Sequence, residues 1–237
     1  MVVHIDTSVH PELVPLSWLI GTWEGVGVLG YPEHGEYHFG NRVAFHAVEN
    51  SPYLRYESQA WLINADEGAS EIAVDNPESI AGNVGMTVGY ETGFWQVVRP
   101  RADYDAGPAF LPPLASSVSD GSMPGSPQAK LHGNLQGANP YTSAEEVEKL
   151  RSPRGGFEVE VSLSRPHGVV EIYLGRVDGA RIDLATDIVA RTETAKDYSA
   201  ATRMYGLVEG DLLWAWDMAA LGQELTSHAS ARLKRVE

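Results

Sequence analysis

Apolar and polar residues alternate with a period of two along most of the chain. In FEVEVSLS, Phe157, Val159, Val161 and Leu163 alternate with Glu158, Glu160, Ser162 and Ser164. Successive side chains of a β-strand point to opposite faces, so this segment reads as a strand with one buried and one wet face. RVAFHAV, YLRYESQAWLI, MTVGYETGFWQVV, VVEIYLG, ARIDLATDIVA, SAATRMYGLVEG and LLWAWDMA are also short and rich in β-branched and aromatic residues. Gly, Asn, Asp or Pro separates many of them, as turns between strands require. GTWEGVGVLG reads as the first strand and ELTSHASARLKRV as the last. Asp178-Gly179, set between two strand patterns in GRVDGARID, signals a tight hairpin. Nine or ten strands, each close to the next in sequence, predict an all-β, ten-stranded antiparallel up-and-down β-barrel. An open β-sandwich of similar strand count fits the same periodicity. HPELVPLSWLIG, before the first strand, predicts a short N-terminal helix that plugs one end.

The alternation lapses between residues 101 and 156, where Pro, Gly, Ser and Ala dominate, as in GPAFLPPLASSVSDGSMPGSP. This stretch has too few apolar residues for a core of its own, so it reads as an insertion between two barrel strands. Near its end, SAEEVEKL predicts a short capped helix with Ser143 at the N-cap and Glu146 at the capping-box position. The 237 residues thus form a single domain, 1–237.

Charge and composition narrow the function classes. Asp and Glu number 32 against 17 Lys and Arg, a net charge of -15, which repels a phosphate backbone and argues against nucleic acid. Without cysteine there can be no disulfide, iron–sulfur cluster, thiolate-ligated haem or cysteine nucleophile. That composition suits a reducing compartment, and cytoplasmic placement is the expectation. MVVHIDTSVHPELVP has neither a basic nor an apolar leader region, and no apolar run reaches membrane-spanning length.

Two features invite a chemical reading. Gly21, Trp23, Gly25 and Gly27 share one strand face, which therefore carries one large aromatic and three missing side chains. Such a face either lets a strand bend or a neighbouring backbone come close, or receives a flat ligand beside Trp23. His228 alternates with Thr226, Ser230, Arg232 and Lys234 on the polar side of the last strand, opposite Leu225, Ala229, Ala231 and Leu233. By alternation alone it is a solvated residue. No two of the eight histidines have metal-ligand spacing, and no nucleophile elbow, P-loop or dinucleotide fingerprint is present.

GTWEGVG fits GxWxGxG just after a short N-terminal helix, and MAALGQELTSHASARLKRV places a His inside the terminal strand. With TAKDYSAATRMYGL and LLWAWDMAA between them, the chain resembles the nitrobindin family of haem-binding barrels, related in shape to lipocalins and fatty-acid-binding proteins. The resemblance runs from about Pro15 to Val236 apart from the insertion, and is nearest to longer actinobacterial members. It implies haem b in a wide cleft, with ferric iron ligated by His228 as the metal-binding and catalytic residue. It also implies that Gly21, Trp23, Gly25 and Gly27 line the haem and that Lys196 of TAKDY lies near the porphyrin. The activity it implies is isomerisation of peroxynitrite to nitrate, with nitric oxide as a further small-molecule ligand, no nucleic-acid or membrane partner, and a homodimer as an assembly to consider. The competing functions are a carrier of a fatty acid or other apolar molecule, with Arg203 or Lys196 holding a carboxylate, and an interaction module acting through the insertion.

Overall fold

The computed structural model describes residues 9–63, 85–100 and 141–237. A 3₁₀ helix, Pro11–Leu19, precedes ten strands: β1 Gly21–Tyr31, β2 Gly35–Ala47, β3 Leu54–Leu62, β4 Thr87–Val97, β5 Phe157–Arg165, β6 Val169–Asp178, β7 Arg181–Arg191, β8 Tyr198–Val208, β9 Asp211–Ala220 and β10 Thr226–Arg235. Each strand pairs antiparallel with its sequence neighbour, and β10 returns to pair with β1, so the barrel is closed. Closure leaves no sheet edge unpaired, which an open sandwich would not achieve.

The expected alternation is visible strand by strand. Phe157, Val159, Val161 and Leu163 of β5 are buried while Glu158, Ser162 and Ser164 are exposed. The β6–β7 hairpin turns through Gly179 and Ala180, with Asp178 paired to Arg181. The turn lies one residue beyond the Asp-Gly pair because Gly179, at φ +58°, takes the first central position. In the insertion, residues 101–140 lie outside the described residues. Its end carries a one-turn helix, α1, Ala144–Glu148, whose Glu146 N–H donates to Ser143 Oγ at 3.3 Å.

The barrel has two unlike ends. At one end the 3₁₀ helix buries Leu13, Leu16 and Leu19 against the core. Glu12, with its side chain 1% exposed, receives two hydrogen bonds of 2.6 Å from the Arg99 guanidinium, which fastens the plug just beyond β4. Such a bidentate pair fixes geometry as well as charge. Above the plug, Trp95 packs edge to face with Phe45 and Tyr205, and Tyr56 lies tilted against Phe45 and Trp95, with ring centroids 5.1–5.9 Å apart. The other end is formed by the last residues of β1, β3, β5, β7 and β9 and the first of the even-numbered strands.

Candidate functional site

The alternation-based placement of His228 on the outer, polar face is corrected by a β-bulge. β10 pairs with β9 at Thr226–Met218 and Ser227–Asp217, then resumes at Ala229–Trp216, leaving His228 as the extra residue. A bulge puts two residues opposite one and re-aims the side chain it carries. The imidazole consequently lies edge to face with Trp216, 4.8 Å away at 80°, and with Tyr31, 5.7 Å away at 78°. The same shift explains why Leu225 is exposed while Ala229, Ala231 and Leu233 are buried.

His228 Nδ1 lies 2.8 Å from the carbonyl oxygen of Gly30. A carbonyl only accepts, so Nδ1 carries the proton and Nε2 keeps its lone pair. Among the described residues Nε2 has no hydrogen-bond partner. Burial lowers the His228 pKa below its ordinary 6.5; the Gly30 carbonyl pulls it up, and the positive charges of Arg165, Arg203 and Lys196 push it down again. The result is a neutral ring with one nitrogen anchored and the other available, the arrangement in which histidine binds a metal. No group of three or more His, Cys, Asp or Glu side chains among the described residues could hold a metal ion without a further scaffold.

The surrounding wall is aromatic. The Tyr31 hydroxyl accepts from the Ala220 N–H at 2.9 Å and lies 3.0 Å from the Ala220 carbonyl, tying the end of β1 to the end of β9. Trp216 is partly exposed, yet its Nε1 is buried and without a hydrogen-bond partner among the described residues. Behind Trp216 lies a charged cluster. Arg203 makes bonds of 2.6 and 2.8 Å to the two oxygens of Glu91, and Arg165 reaches Glu91 at 2.8 Å and Glu171 at 2.5 Å. Glu171 also accepts from the hydroxyls of Tyr173, at 2.5 Å, and Tyr198. Burial raises the Glu91 pKa, but the Arg203 and Arg165 guanidinium groups prevail and hold it at about 2. Burial pushes the phenols of Tyr173 and Tyr198 well above their ordinary value.

The residues expected to share one site are distributed over the whole length of the barrel. His228 and Lys196 belong to the unplugged end, Lys196 in the turn before β8. Trp23 is fully buried at the plugged end, where its Nε1 donates to the Leu19 carbonyl at 2.7 Å and the Arg235 guanidinium stacks 4.2 Å over its ring. From Trp23 to Gly30 the strand rises roughly 23 Å, at about 3.3 Å per residue. Gly21, at φ +129°, abuts the Glu237 carbonyl. A Cβ at Gly25 would collide with the Arg232 carbonyl oxygen, and one at Gly27 with the Ser230 carbonyl and the Phe39 ring. The bare face of β1 lets β10 approach, which is the mechanical alternative of the two read from sequence. Gly25→Ala is accordingly expected to cost about 1–3 kcal/mol through forced displacement of β10. Thermal denaturation measures this as a fall of several degrees in Tm, by the scale of about 2–4 °C per kcal/mol. Ligand binding at the other end should survive in the fraction that stays folded.

Sequence reasoning missed Gly30, Tyr31, Trp216, Arg165 and Glu91. The alternate tryptophans of LLWAWDMA were the available signal for Trp216, since both fall on the inward face of β9 with Leu212 and Met218.

Comparison with known proteins places this geometry. Residues 12–235 match the family described as THAP4-like, heme-binding beta-barrel domain. A peroxynitrite isomerase of Leifsonia xyli subsp. xyli is 45% identical, over 99% of this chain and all of the relative. One of Kocuria rhizophila is 43% identical, over all of this chain and 97% of the relative. The crystal structure of Rv2717c from M. tuberculosis superposes with a TM-score of 0.59 at 24% identity, covering 97% of this chain and 99% of that one, and shares the fold.

Proposed function

The chain belongs to the family of THAP4-like, haem-binding β-barrel domains, and on that premise we propose that it binds ferric haem b through His228 and isomerises peroxynitrite to nitrate. The observation that carries this reading is the His228 ring, anchored through Nδ1 to Gly30 with Nε2 unengaged. The residues fit the group: a neutral imidazole, a flat aromatic flank in Trp216 and Tyr31, and Lys196 close enough to act on His228 electrostatically. Relatives carrying the peroxynitrite isomerase name over their whole length support the activity.

Ferric haem, when bound, supplies an iron at which an anion can coordinate and rearrange without net gain of protons or electrons. The chain's own part is to bind, orient and shield. Gly30 fixes the tautomer of the imidazole. Trp216 and Tyr31 keep the ring upright at the rim, and Lys196 offers a cation to propionates or to an arriving anion. All these residues come from one protomer, so the site needs no partner; a homodimer would be additional to it. The absence of cysteine suits a reducing cytoplasm, and among the described residues no helix is long and apolar enough to cross a membrane.

A fatty-acid carrier needs an open interior and a free cation. Of the two cations that could hold its carboxylate, Arg203 is bound to both oxygens of Glu91 and Lys196 is exposed in the turn before β8, and the described interior is filled by Trp95, Tyr56, Tyr205 and Phe45. Titrating ferric haem into the purified protein should shift and sharpen the Soret band with one-to-one stoichiometry. Stopped-flow mixing should then show faster peroxynitrite decay with nitrate as the product. An unshifted Soret band would remove the proposal.

A further inference from the structure

Four charged side chains are buried behind His228: Arg203, Glu171, Glu91 and Arg165, with side-chain exposures of 3, 0, 13 and 17%. Their charges cancel. Stability is a poor reason for such a cluster, because desolvation of buried ion pairs offsets most of their attraction, and well-packed apolar residues commonly stabilise as much or more. What the cluster does supply is directional constraint. The Arg203 guanidinium is hydrogen-bonded to both oxygens of Glu91, and Arg165 lies in ion-pair contact with Glu91 and Glu171 without hydrogen-bond geometry. Both press on the same indole: the Arg165 Cζ lies 4.3 Å and the Arg203 Cζ 4.7 Å from the Trp216 ring. Arg165 also covers the Tyr198 ring at 5.4 Å, and Tyr198 meets Trp216 edge to face at 6.4 Å. Trp216 has no hydrogen bond of its own among the described residues to set its orientation. Cation–π stacking in a desolvated setting is strong enough to do so. The indole in turn sets the imidazole, at 4.8 Å and 80°.

We propose that Arg165, held by Glu91 and Glu171, is a positioning residue that clamps Trp216 and through it fixes the orientation of the His228 imidazole. The proposal rests on His228 being the axial ligand only for its functional consequence; the ring's immobilisation is a property of the protein alone. It also accounts for the bulge. An extra residue in β10 frees the His228 side chain from the strand's regular direction, so something other than the pleat must define where the ring points. Gly30 constrains one nitrogen, and the Trp216 edge constrains rotation about that hydrogen bond.

The test is the double variant Arg165→Met, Glu171→Gln, which removes one charge of each sign and leaves the bidentate Arg203–Glu91 pair intact. Two readouts are taken at one fixed pH. In the haem-free protein, the His228 Nδ1–H resonance, assigned by its loss in His228→Ala, should exchange with water at least tenfold faster than in wild type. With ferric haem, affinity should fall about tenfold, the range seen when a partner of a metal-ligating histidine is lost. The thermal midpoint should stay near that of wild type, separating positioning from support of the fold. Unchanged proton exchange overturns the proposal. Failure of the wild type to bind haem would instead count against His228 as a ligand and leave the exchange measurement standing. Should the double variant not fold, Trp216→Phe carries the same two expectations, and an unchanged exchange rate there overturns the proposal equally.

Discussion

His228→Ala abolishes the Soret shift on addition of ferric haem, with an affinity loss of at least about a hundredfold, while the barrel remains folded. The two halves of that expectation have separate grounds. Fold is spared because His228 makes one hydrogen bond, to Gly30, and a single bond contributes about 0.5–1.5 kcal/mol net. Binding is lost because no other described residue offers an imidazole at the same place. His34, His38 and His167 belong to the same end but are exposed, and His10 caps the plug at the far end. Even partners one step removed from a metal change affinity by about 10–100-fold, so removing the ligand should exceed that range. Circular dichroism and thermal denaturation verify the fold, and absorption titration reads the binding. A wild-type spectrum from the variant would show that the iron is held by something else.

Glu91→Gln is the substitution with the largest expected effect on stability. Glu91 accepts from Arg203 at 2.6 and 2.8 Å and from the Tyr56 hydroxyl at 3.3 Å, and pairs ionically with Arg165 at 2.8 Å. Without its charge, two guanidinium groups face one remaining carboxylate, Glu171. Leaving a buried charge uncompensated costs about 3–5 kcal/mol, a large share of the roughly 5–15 kcal/mol that keeps a domain folded. Protonating Glu91 removes the same charge from the other direction. Its pKa is depressed in the folded state, from an ordinary 4.5 to about 2, so its stabilisation is complete above about pH 4.5. It declines as pH falls from there toward 2, by about 3 kcal/mol in all at 1.36 kcal/mol per unit. Denaturation midpoints measured across that window should fall steeply in wild type and much less in Glu91→Gln. Parallel slopes would mean that Glu91 is not the group responsible.

How much of this could be read from the residues depends on whether the information was local. The strands were legible because burial follows alternation, as Phe157 to Ser164 shows. The N-terminal plug and the capped helix at Ser143 carried their own signals in Pro11 and in the Ser-x-x-Glu spacing. His228 was legible as a residue type in a family-like context, but its direction was not. Alternation along TSHASARL is unbroken in the sequence, and the bulge exists only in the pairing with β9. Glu91, Glu171, Arg165 and Arg203 stand at inward positions where a pattern of apolar against polar expects solvent. Only the closed barrel brings all four behind one tryptophan. The GxWxGxG face was legible as unusual, and the clearance it leaves for β10 became visible once the partner strand was placed.

The long insertion departs from Val97 and returns at Phe157, beside the plug that Glu12 and Arg99 lock, at the pole opposite His228. The chain therefore leaves and rejoins the barrel at the end remote from Gly30, Trp216 and His228. For the same reason, a bench chemist has a natural splice point there for a reporter domain.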